Sequence, residues 1–190
     1  LELARRGAKV VVNDLGGSTD GRGGNASMAD KTVKEIEQAG GTAVANHDSV
    51  ATPEGGEAII QAALDNFGQV DIVINNAGIL RDKSFAKLAP ADLEIVLDVH
   101  LKGAFYVSQP AFRAMKERNY GRFVFTASAA GLFGNFGQAN YGAAKMGLVG
   151  LSNVLAVEGA KSNIKSNVIA PIAKTRLTED LLGPMADKLM

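Results

Sequence analysis

No cysteine occurs in this chain, which rules out disulfides, thiol nucleophiles and thiolate metal sites together. Histidine is almost as scarce. His47 and His100 are the only two, and neither has a second histidine or a carboxylate at metal-ligand spacing, so no metal site is expected. Excess charge is missing as well: twenty basic and twenty acidic residues cancel, leaving no basic field for nucleic acid or an anionic membrane surface. No apolar run approaches the roughly 18 residues that cross a bilayer, and no signal-peptide pattern opens the chain, which reads as soluble. What is present is a chain of 190 residues, 46% hydrophobic, long enough for one domain with a sizeable core and suited to a small, locally bound ligand.

Apolar runs and amphipathic stretches alternate along it. Strands are predicted over 8–14, 42–46, 70–75, 122–127 and 166–170, and helices over 26–39, 53–67, 90–101, 103–118 and 139–159, with a Gly-rich loop at 16–24. Strands with continuous apolar faces between helices predict an α/β fold, a three-layer doubly wound parallel sheet of Rossmann-like kind covered on both sides. The opening Leu1-Glu2-Leu3-Ala4-Arg5-Arg6-Gly7 reads as the last turns of a helix capped by Gly7. The expectation is therefore a single dinucleotide-binding domain over 1–190, truncated at both ends and lacking its N-terminal strand and Gly-rich turn.

In such sheets ligands bind beyond the C-terminal ends of the strands. Asp14, His47-Asp48, Asn75-Asn76, Ser128 and Pro171 all fall there. Tyr141 and Lys145 stand four residues apart in Tyr141-Gly142-Ala143-Ala144-Lys145, one turn apart on one helix face. Alone the pair also reads as two solvated helix neighbours. An ammonium beside the phenol would lower its pKa and make Tyr141 a general acid and base near neutrality, and the Ser128 hydroxyl is placed to hydrogen-bond a substrate oxygen. Gly21-x-Gly23-x-x-Ala26 superficially satisfies a dinucleotide fingerprint, but it lies too far from the strand that ends at Asp14 and is read as a decoy. If an earlier strand precedes, Asp14 ends the second one, where a carboxylate binds adenosine ribose hydroxyls and favours NAD over NADP. The other reading of Asp14 is a capping or loop-solvating residue, and Arg22 could reach a phosphate.

Together Asp14, Asn75-Asn76-Ala77-Gly78, Ser128 and Tyr141-x-x-x-Lys145 resemble the short-chain dehydrogenase/reductase family. The resemblance implies an NAD-dependent oxidoreductase in which Tyr141 exchanges the proton, Lys145 modulates it and binds the nicotinamide ribose, and Ser128 orients the substrate oxygen. It further implies cofactor contacts at Asp14, at Asp48, Ser49 and Val50, at Asn76, Ala77 and Gly78, at Tyr141 and Lys145, and at Ala173 and Thr175 in the loop that follows Pro171. The stretches Val12 to Gly17, Gly78 to Phe85, Val99 to Gly103 and Gly134 to Tyr141 are similar to the (3R)-hydroxyacyl-CoA dehydrogenase group of multifunctional β-oxidation enzymes. That likeness implies oxidation of (3R)-3-hydroxyacyl-CoA to 3-oxoacyl-CoA in fatty acid β-oxidation. It also implies an enoyl-CoA hydratase domain in the parent chain, a peroxisomal location, and pairing of dehydrogenase domains through the helices over 103–118 and 139–159. Rival readings are a same-fold dehydrogenase acting on a hydroxysteroid or an acyl-carrier-protein thioester and, from another class, an inactive nucleotide-binding or scaffold module.

Some residues keep two readings. The wider family carries Asn at the place of His100, and the group resembled carries His. Either His100 holds a water and relays protons with a pKa near 6.5, or it is a structural histidine. His47 reads as a surface or turn residue. Phe133 and Phe136 could contact substrate, or could serve core or dimer packing.

Overall fold

The structure, a computed structural model, describes residues 1–16, 20 and 27–171. The Gly21-x-Gly23-x-x-Ala26 segment with Arg22, and the cofactor-loop residues Ala173 and Thr175, lie outside the described residues.

A one-turn helix α1 (Glu2–Arg5) leads to β1 (Lys9–Asn13), α2 (Ser27–Gln38), β2 (Thr42–Asn46), α3 (Pro53–Phe67) and β3 (Ile72–Asn75). Then come α4 (Pro90–Leu97), α5 (Gly103–Arg118), β4 (Gly121–Thr126), α6 (Ala129–Phe133), α7 (Ala139–Gly159) and β5 (Ile164–Ile169). Local chemistry fixes several boundaries. Thr52 caps α3, its hydroxyl accepting the Gly55 N–H at 3.1 Å, with Pro53 at the first helical position and Gly68 closing the end at φ 75°.

All strand pairs are parallel. β1 lies beside β2 with Lys9 opposite Thr42 and Asn13 opposite Asn46, and a second block runs β3, β4, β5. Among the described residues β1 and β3 are separate edges with no ladder between them, in a parallel sheet that the sequence reading expects to lack its N-terminal strand. The blocks share a core all the same. Val11 of β1 packs on the main cluster of Ile59, Ile60, Val73, Val107, Phe123, Phe125 and Leu148, drawn from α3, α5, α7, β3 and β4. Val10 and Val12 face the other way, onto Ala4 of α1 and Ile36 of α2. Helices therefore cover both faces of β1. The second face of β3 and β5 is more open, with Ile72, Ile74 and Ile169 exposed.

Two element assignments differ from the sequence reading. Gly103 looks like a break between two helices, yet α4 and α5 are joined by one turn of π-helix, Asp98–Lys102, into a continuous run. Glycine at 103 lets the helix pack closely on Val50, since a Cβ there would sit 3.0 Å from the Val50 side chain. Helix α6 was not predicted. Its five residues are too few to show periodicity, and it is nucleated by Ser128, whose hydroxyl accepts the Ala130 N–H at 3.2 Å.

Candidate active site

β4 ends at Thr126, Ser128 follows as the cap of α6, and α7 packs on both α6 and β4. This packing brings Ser128 to the helix that carries Tyr141 and Lys145. Lys145 is 4% exposed, and its ammonium donates to the Thr126 carbonyl at 2.6 Å while lying 5.4 Å from the centre of the Tyr141 ring. The Ser128 hydroxyl stands beside the Tyr141 phenol, close enough to pull its pKa down. From the π turn, His100 sets its ring edge-on to Tyr141, with centroids 5.2 Å apart and planes at 89°. The three residues expected to carry the chemistry thus come together, half-buried to buried, beside the C-terminal end of β4.

Their electrostatics differ from the expectation. Burial raises the Tyr141 phenol above its ordinary value, the Asp82 charge raises it further, and the Ser128 hydroxyl opposes both. Lys145 does not lower it in this state, because its ammonium is directed at the Thr126 carbonyl rather than at the phenol. Burial in turn depresses Lys145 to about 8. His100 falls to about 4, from burial first and the Lys145 charge second, against a backbone bond to Ile79. Its Nε2 lies 3.0 Å from the Ile79 N–H and 2.8 Å from the Ile79 carbonyl, and its buried Nδ1 has no partner among the described residues. Burial thus favours the neutral ring, and Nε2 is held by the loop after β3.

The expected cofactor residues line the same edge. Asn76, Ala77 and Gly78 follow β3, with Asn76 Oδ1 accepting from the Thr126 hydroxyl at 3.1 Å. Gly78 lies so close to the His100 ring that a Cβ would collide with it. Past β2, the Asp48 carboxylate accepts from Asn46 Nδ2 at 2.7 Å, and Asn13 Nδ2 donates to Asn46 Oδ1 at 2.8 Å and the Asp48 carbonyl at 2.9 Å. Ser49 accepts the Ala51 N–H at 3.2 Å, and Val50 packs against Gly103. Asp14 follows β1, one oxygen accepting the Gly16 N–H at 2.7 Å, so the loop-capping reading describes that oxygen. His47 is an exposed turn residue, as expected, with Nε2 3.4 Å from Asp30. The close approach at Gly78 and the strand-end carboxylates suit a dinucleotide laid along this edge.

Sequence reasoning assigned no part to Arg81, Asp82, Gln138 or Asn140, which the structure draws in beside Tyr141. Asn140 Oδ1 accepts the Tyr141 N–H at 2.8 Å, and Gln138 Nε2 donates to Asp82 at 2.8 Å. The Gln138–Asp82 bond joins residues 56 positions apart, and the Asn140 oxygen ends on a main-chain N–H, so no spacing announces either.

Parallel strands between helices, with a Tyr, a Lys and a Ser gathered at the strand ends, define a dinucleotide-dependent oxidoreductase fold. Residues 1–182 match the short chain dehydrogenase family, and the chain belongs to it. The chain is 61% identical over 184 residues to peroxisomal multifunctional enzyme A of Dictyostelium discoideum, a match covering 97% of this chain and 41% of that protein. Against the peroxisomal hydratase-dehydrogenase-epimerase of Saccharomyces cerevisiae it is 59% identical, over 97% of this chain and 20% of the relative. The crystal structure of a short chain dehydrogenase from Mycobacterium avium superposes with TM-score 0.83 at 40% identity, covering 93% of this chain and 63% of that one. The chain thus spans less than half the length of the two curated relatives. The family's chemistry uses a nicotinamide dinucleotide, and among the described residues no helix is long and apolar enough to cross a membrane.

Proposed function

We propose that this chain forms a single dinucleotide-binding domain that oxidises (3R)-3-hydroxyacyl-CoA to 3-oxoacyl-CoA with NAD, in peroxisomal fatty acid β-oxidation and alongside an enoyl-CoA hydratase domain. The observation that carries the chemistry is the convergence of Ser128, Tyr141 and a buried Lys145 at one strand edge. The names of the relatives, two peroxisomal multifunctional enzymes, support the pathway and compartment.

Ser128 holds the substrate hydroxyl by hydrogen bond, and the Tyr141 phenolate takes its proton as the C–H bond at C3 breaks and the carbonyl forms. Lys145 places a positive charge beside that phenolate once its ammonium turns from the Thr126 carbonyl. The dinucleotide, when bound, supplies the hydride acceptor. Asp14, Asp48, Ser49, Val50, Asn76, Ala77, Gly78 and Lys145 would hold it, with Ala173 and Thr175, and the Asp14 carboxylate favours NAD over its 2′-phosphorylated form. A homodimer through α5 and α7 is part of this reading.

Incubating the full-length protein with the 3R and 3S epimers of a hydroxyacyl-CoA, with estradiol, and with an acyl-carrier-protein thioester tests it. NADH should form from the 3R epimer. A preference for the 3S epimer or for the steroid would replace the proposed substrate, and turnover of none would favour a module without catalysis.

A further inference from the structure

The loop that follows β3 and the segment that precedes Tyr141 are bonded to each other residue by residue. The Lys83 N–H donates to the Gly137 carbonyl at 2.9 Å and Gln138 Nε2 to Asp82 at 2.8 Å, while the Ile79 N–H of the same loop donates to His100 of the π turn at 3.0 Å. At the centre of this seam is Asn140, fully buried. Its Nδ2 donates to the carbonyls of Arg81 at 3.1 Å and Asp92 at 3.0 Å, and its Oδ1 accepts the Tyr141 N–H at 2.8 Å. Both amide hydrogens and the amide oxygen are in use, which leaves the side chain a single orientation. Three main-chain segments meet on it: the loop after β3, the first turn of α4 and the start of α7.

We infer that Asn140 is a positioning residue that sets the Tyr141 phenol against the Asn76–Gly78 segment, by clamping the start of α7 to the loop that carries that segment. Tyr141 is then fixed from two sides, at its main chain by Asn140 and at its ring by His100. A displacement of about 1 Å at a reacting group costs on the order of a hundredfold in rate, so the clamp matters for turnover as well as for folding. The inference rests on the reading of Tyr141 as the acid and base.

The test uses the full-length protein with Asn140→Ala, the milder Asn140→Ser, and Ser152→Ala as a control. Ser152 is a buried residue of the same helix, 2.7 Å from Ser166 Oγ, remote in sequence from Tyr141. The Tyr141 phenol is titrated by phenolate absorbance as the difference from Tyr141→Phe, and kcat and KM are measured beside it. Both Asn140 variants should move the phenol down toward the ordinary value of about 10. They should also lower kcat by about 10- to 100-fold with substrate KM within about threefold. Ser152→Ala should lower thermal stability alone. Asn140 variants that lose stability but keep the wild-type phenol titration and kcat would overturn the inference, and so would failure of both to fold. The titration needs no substrate, so an inactive wild type would count against the proposed reaction and leave Asn140 to be judged on its phenol.

Discussion

Tyr141 is a half-buried phenol, and the Lys145 ammonium 5.4 Å from its ring centre is bonded to the Thr126 carbonyl. The environment raises its pKa, so in this state it is protonated at neutral pH and fitted to donate. For oxidation it must be a phenolate, a form that grows as pH rises through its pKa, so the oxidation rate should climb with pH while the reverse reduction falls. A rate profile of the full-length protein in both directions checks this; an oxidation rate that declines with pH would contradict it. Tyr141→Phe should cost about 100- to 10,000-fold in turnover, the usual range for a lost general acid or base, and leave NADH binding measurable by fluorescence. His100 makes a separate prediction about stability. Its folded value of about 4 lies below the ordinary 6.5, so the unfolded chain binds the extra proton first as pH falls. Its contribution is intact above about pH 6.5 and is lost toward about pH 4, by up to about 3 kcal/mol. Urea unfolding of the wild type and of His100→Asn across that window should show a flatter acid limb in the variant.

Among the elements, α3 is the one whose limits were most legible. Thr52, Pro53 and Gly68 are the residues a helix start and stop require, and the structure uses each of them so. Thr52→Ala should cost about 1 kcal/mol in thermal unfolding, the usual worth of an N-cap. Where the reading of elements failed, tertiary packing had replaced local signals. The helices read over 90–101 and 103–118 run on through Lys102, and Gly103 is a contact point for Val50. The π turn before it has no marker in composition, yet it is the turn that delivers His100 to Ile79 and Tyr141. Helix α6 escaped because a cap and five residues leave no period to count. The site was legible to the same degree. Ser128, Tyr141 and Lys145 declare themselves by spacing, whereas the partner that Lys145 holds, a main-chain carbonyl, and the seam through Asn140 do not.

At the scale of the whole molecule, the alternation of strands and helices correctly announced a parallel α/β fold. Two sheet blocks share one core without a ladder between β1 and β3. The expected cofactor residues are divided between them, Asp14 and Asp48 on the first and Asn76 to Gly78 on the second. Dinucleotide affinity therefore depends on how firmly the blocks are held together. We predict that residues 1–190 by themselves bind NAD at least about tenfold more weakly than the full-length protein by calorimetry. Equal affinity would mean that the shared core alone fixes the two halves of the site.

In the proposed reaction a hydride leaves C3 of a (3R)-hydroxyacyl-CoA at this strand edge while Tyr141 takes the hydroxyl proton. Its most direct test is the full-length protein, wild type and Tyr141→Phe, given NAD and the 3R substrate deuterated at C3. Deuterium should appear in the NADH formed by the wild type, at a rate about 100- to 10,000-fold above that of Tyr141→Phe. Label transfer at the wild-type rate after the substitution, or from the 3S epimer alone, would overturn this reading.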